Sequence, residues 1–195
     1  MPRSISLRNY PLHIDQIEEL GLPAHEYASA MADALAFLLW DAGIDACDVE
    51  FVLARPRAHD GDGPTTTEEA GFGTKTFTPG ELGPHELWVL DFDCCRPLRM
   101  TGEGIKDAVE RFWRNDPYYP NPDTKCAEDV KLWETFRDRF LETSGRIMAS
   151  KAEEEREGMR QLPEQFIARV VETIGMYSKG VPMLRPSGTW CQGYC

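Results

Sequence analysis

Apolar positions recur along this chain with two different periods. From Ala24 to Ala42, residues Tyr27, Met31, Ala34, Leu35, Leu38 and Leu39 repeat at three- and four-residue spacing, which predicts an amphipathic helix. Gly43 follows as its stop, since glycine takes left-handed backbone at a helix end without penalty. Ile105, Ala108, Val109 and Phe112 predict a second helix from Gly102 to Trp113, capped by Thr101. The longest stripe, Val130, Trp133, Phe136, Phe140, Leu141, Ile147 and Met148, predicts a helix from Ala127 to Ser150. Lys151 to Gly158 reads as its charged continuation, with Glu153, Glu154 and Glu155 on a solvated face. Pro163 opens a last helix with Phe166, Val170, Val171, Ile174 and Tyr177 inward, and Ile14 to Leu20 gives a short first one ended by Gly21 and Pro23.

Two stretches break the helical period. Leu87-Trp88-Val89-Leu90-Asp91-Phe92-Asp93-Cys94-Cys95 opens with a run of large apolar residues between Pro84 and Pro97. It reads as a strand buried on both faces. Val49 to Leu53, entered through Asp45, Cys47 and Asp48, reads as a second strand, and Thr74 to Thr78 as a short edge strand. Residues 55–85 are polar and rich in proline and glycine, a mobile insertion or a lid. Residues 1–12 read as an arm and 180–195 as a tail, around one domain covering 1–195. The expected fold is α+β, mostly α, with helices around a small antiparallel hairpin.

Composition narrows the function. The formal net charge is −12, which disfavours broad nucleic-acid binding and suits a cationic ligand. Arg96, Arg99, Arg111 and Arg114 remain close enough in sequence for a local basic face. No apolar run reaches membrane-spanning length, and residues 1–8 lack the apolar core of a signal peptide, so the expectation is a cytoplasmic protein with reduced cysteines. The six cysteines include no paired C-x-x-C, and the four histidines are scattered, so no metal site and no cofactor is expected. Cys191 and Cys195 are either a labile bridge, half a metal site or free thiols of a frayed tail.

The candidate chemistry lies in the acids. Asp91 and Asp93 are two residues apart and share a strand face. If the two strands pair antiparallel, Asp45, Asp48 and Glu50 gather beside them, five carboxylates in one place. Two readings stay open: the acids cap turns, or they form a site. Trp40 ends its helix either as a core residue or as part of a substrate wall. Tyr118 and Tyr119 lie in the proline-bound loop Arg114-Asn115-Asp116-Pro117-Tyr118-Tyr119-Pro120, where they line a pocket or cover the core.

The order of elements resembles the C-terminal lobe of a protein kinase, with Asp91-Phe92-Asp93 in the place of its magnesium-binding Asp-Phe-Gly and no N-terminal lobe. More specifically, the blocks Ala34 to Trp40, Asp45 to Leu53, Leu87 to Pro97 and Phe112 to Pro120 resemble a fungal family described only as a "zinc finger" domain of unknown function. That family in turn looks similar to arginine-containing cyclodipeptide synthases. The resemblance implies a tRNA-dependent aminoacyltransferase that joins arginine to a second amino acid as a diketopiperazine. Its substrates would be arginyl-tRNA and a second aminoacyl-tRNA. Asp45, Asp48, Glu50, Asp91 and Asp93 would hold the guanidinium and supply a general base. Arg96, Arg114, Tyr118, Tyr119 and Trp40 would bind substrate. The alternatives are a kinase-like pseudoenzyme that binds nucleotide and magnesium, and a non-catalytic interaction module.

Overall fold

The computed structural model describes residues 12, 14–56, 76–78, 83–115, 119–122, 126–174 and 176. Their elements run α1 (Ile14–Glu19), α2 (Ala24–Trp40), β1 (Glu50–Ala54), β2 (Thr76–Phe77), β3 (His85–Leu90), α3 (Gly102–Arg114), α4 (Ala127–Ser150), α5 (Glu153–Met159) and α6 (Leu162–Glu172). The fold is α+β and mostly helical, as the two periods predict. Residues 1–11 of the arm, most of the 55–85 insertion, the 180–195 tail, Tyr177, Cys191 and Cys195 lie outside the described residues.

Helix α2 packs along α4, and α3 packs against α6. Their shared core is aromatic: Trp40, Phe136, Phe140 and Phe166 are fully buried beside Leu35, Leu39, Ile105 and Val109. Burying each such side chain contributes about 1.5–3 kcal/mol. A polar clasp sets how α2 meets α4. Arg139 donates through Nε and Nη2 to the two carboxylate oxygens of Asp33, at 2.8 and 2.9 Å. The Thr143 hydroxyl donates to the same carboxylate. The bidentate geometry makes this a stronger pair than a single surface contact.

The three strands order β1-β3-β2, all antiparallel, with Glu50 opposite Leu90 and Ala54 opposite Glu86. Edge strand β2 pairs Thr76 with Glu86 and Phe77 with His85. Under it, the buried Tyr27 hydroxyl donates to His85 Nε2 at 2.6 Å, while His85 Nδ1 donates to the Gly83 carbonyl at 2.9 Å. Burial, and secondarily Glu26, pushes the Tyr27 hydroxyl up to about 12.

Four expectations need correction. Strand β3 is not buried on both faces: it starts at His85 and Glu86, which are buried, and ends at Leu90, exposed by 42%, with Phe92 just past it exposed by 46%. Asp91 turns the chain with φ of 64°, so the sheet ends where the apolar run does, at Leu90. Val130 and Val171 are exposed by 39% and 45%, because each lies at the edge of its stripe and not at its centre. The charged stretch after Ser150 is a separate helix, since Lys151 takes extended backbone and ends α4.

Candidate functional site at the hairpin end

Antiparallel pairing puts the start of β1 beside the end of β3, so the residues before Glu50 lie against the turn after Leu90. The two segments continue together below the sheet. Ile44 bridges Pro97, and the Asp45 amide donates to the Arg96 carbonyl at 2.9 Å. Three non-glycine residues here adopt left-handed backbone: Ala46, Asp48 and Asp91, with φ of 52°, 62° and 64°. Aspartate tolerates this region better than most residues; alanine has no side chain to help it.

Asn115 holds that loop in place. It follows α3 and is buried; its Nδ2 donates to the Ala46 carbonyl at 2.6 Å, and its Oδ1 accepts from the Asp48 amide at 2.7 Å. One side chain therefore ties both left-handed residues to the end of a core helix. A lone asparagine in a proline-rich loop gave no sequence signal of this role.

The five acids divide. Asp45 is buried, and its Oδ1 accepts from the Arg96 and Cys47 amides at 2.9 and 3.2 Å. Its other oxygen lies 3.7 Å from Arg111 Nε. The turn-capping reading holds for Asp45, which is therefore removed from the open cluster. Asp48, Asp91 and Asp93 are exposed, and Glu50 is half-buried. They act on one another: the Asp91 carboxyl is raised by its hydrogen bond with the Asp93 carboxyl, then by the Asp93 charge, slight desolvation, Asp48 and Glu50. Like charges held this close make one of them retain its proton more readily.

The other site residues are arranged differently from expectation. Trp40 is 1% exposed; its Nε1 donates to Ser144 Oγ at 2.8 Å and its ring lies against Phe140. Tyr119 is buried between Phe112, Phe51 and Phe136, and burial raises its hydroxyl far above the usual range. Both are corrected to core residues, because the aromatic core extends under the loop. Tyr118 lies outside the described residues. Among the arginines, Arg99 pairs with Asp107 at 2.9 Å and Arg114 with Glu110 at 2.5 Å. Arg96 is exposed and donates through Nη1 to the Asp93 and Cys95 carbonyls at 3.2 and 3.0 Å.

Among the described residues, no group of three or more His, Cys, Asp or Glu side chains is placed to hold a metal ion. No described helix is long and apolar enough to cross a membrane. A separate cavity of about 360 Å³ opens between the starts of α2 and α4, lined by Ile14, Leu22, His25, Glu26, Asp129 and Leu132 among others. It includes none of the residues singled out from the sequence.

No curated protein and no solved structure matches this chain. The likeness to a kinase lobe therefore rests on element order alone. The expected kinship with arginine-containing cyclodipeptide synthases is corrected: the match found concerns a different description and a shorter stretch. The chain is similar to the DUF3669 family, described as "Zinc finger protein", over residues 87–152, which take in most of β3, the acidic turn, α3 and α4.

Proposed function

We propose that the hairpin end binds a broad organic cation, of which a guanidinium is the best fit. The observation that carries this is the convergence of Asp48, Glu50, Asp91 and Asp93 on one open end, where Asp91 already carries a raised carboxyl. Metal coordination needs oxygens at about 2.0–2.6 Å from one point. These carboxylates meet no such geometry, and a planar, delocalised charge fits a wider spacing. Phe92, exposed beside them, offers an aromatic face for the same cation. Isothermal titration with arginine, an arginine-containing dipeptide and lysine tests the reading. Arginine binding that exceeds lysine binding and vanishes in Asp91→Asn, with the fold intact by circular dichroism, supports it. Equal or absent binding refutes it.

A second reading is favoured by one observation, the raised carboxyl of Asp91. A base of that kind takes a proton from an ammonium group more readily than an ordinary carboxylate does. The site would then serve aminoacyl transfer: the amine of a held arginyl group attacks a second aminoacyl ester, whose tRNA hydroxyl leaves, and the dipeptide's free amine then closes on the arginyl ester and releases the other tRNA. Mass spectrometry of a reaction with amino acids, ATP, tRNA and synthetases, with and without RNase, tests it. An RNase-sensitive arginyl diketopiperazine supports the transfer; its absence from folded protein leaves cation binding alone.

A further inference from the structure

The loop before β1 and the turn after β3 are joined by more than the sheet. The Cys95 thiol donates to the Cys47 carbonyl at 3.5 Å, and both cysteines are half-buried and unbridged. The two segments run antiparallel at this point, through the Ile44–Pro97 bridge and the reciprocal hydrogen bonds of Asp45 and Arg96. A disulfide asks for α-carbons about 4.4–6.8 Å apart, and the loop and the turn stay in contact up to these two residues. The Cys95 sulfur already sits against the main chain of Cys47, one α-carbon from the Cβ that carries the other sulfur.

We infer that Cys47 and Cys95 are a disulfide-forming pair, oxidised by hydrogen peroxide, that fastens the loop carrying Asp48 to the turn carrying Asp91 and Asp93. The Cys47 sulfur attacks first. Its thiolate forms an S–O bond as the peroxide O–O bond breaks, and the departing oxygen leaves as water after protonation. Cys95 then attacks the oxidised sulfur: an S–S bond forms, the S–O bond breaks, and a second water leaves with the Cys95 proton. Two thiols are oxidised and one hydrogen peroxide is reduced.

The order follows from the surroundings. Burial, then Asp45 and Cys47, push the Cys95 thiol up to about 11, with Arg96 opposing. Cys47 is raised mainly by burial, with Asp45 and Asp48 acting the same way, but Arg111 and Arg114 oppose the shift. Thiolate is the reacting form, so the pair reacts slowly near neutrality and faster as pH rises.

The test is peptide mapping of the full chain after hydrogen peroxide treatment, without reduction, at pH 7 and pH 9. The expected result is a Cys47–Cys95 cross-linked peptide, two hydrogens lighter than its parts and accumulating faster at pH 9. Cys94→Ser should keep the cross-link and Cys47→Ser should lose it, and the cross-linked protein should show a higher Tm. No cross-link, or one that joins either cysteine to another partner instead, overturns the inference.

Discussion

Asn115→Ala probes the joint between the core and the site. The substitution removes two hydrogen bonds, at 2.6 Å to the Ala46 carbonyl and at 2.7 Å from the Asp48 amide. The Ala46 carbonyl is buried, so losing its partner costs about 2 kcal/mol; the Asp48 amide borders solvent and recovers part of its loss, at about 1 kcal/mol. The sum, about 3 kcal/mol, corresponds to a Tm fall of about 6–12 °C for a chain of this size. Thermal unfolding followed by circular dichroism gives the number, and hydrogen exchange at the Asp48 amide gives the place. Asn115→Asp should recover less than the full loss, because a carboxylate accepts from Asp48 but cannot donate to Ala46. A Tm within about 2 °C of wild type, with the Asp48 amide still protected, would show that the left-handed loop holds itself and that Asn115 is a bystander.

Two other outcomes follow from the same structure. Asp91 has a raised carboxyl in the folded state, so the folded protein binds its proton more tightly than the unfolded chain does, and stability falls as pH rises from the ordinary 3.8 through the raised value. Asp91→Asn should flatten that part of the Tm-against-pH curve and leave Tm at neutral pH unchanged or higher; a curve as steep as wild type would refute the coupling. Trp40→Phe removes the bond from Nε1 to Ser144 Oγ in the core and should destabilise by about 1–3 kcal/mol in urea unfolding; no change would place Trp40 outside the packed core.

The sequence determined most of the elements by itself, because helix periodicity, caps and stops are local; α5, read as a continuation of α4, is the exception. Thr101 caps α3, accepting from the Gly104 amide at 3.3 Å. Gly43 takes φ of 67° just past α2, and α4 runs from Ala127 to Ser150. The antiparallel hairpin was expected too, and the meeting of β1 and β3 brings the ends that carry the acids together. What only the tertiary structure decided is which polar group faces water and which faces another chain segment. Asp45 and Asp48 are three residues apart in the same acidic run, yet one is buried under the Arg96 and Cys47 amides and the other is exposed. The difference comes from left-handed turns at Ala46 and Asp48, held by Asn115 from far along the chain. Trp40 and Tyr119 were drawn inward by aromatic packing. A large ring in a sequence gives its size, and only the space left by Phe140, Phe112 and Phe136 decides whether it faces a ligand or the core.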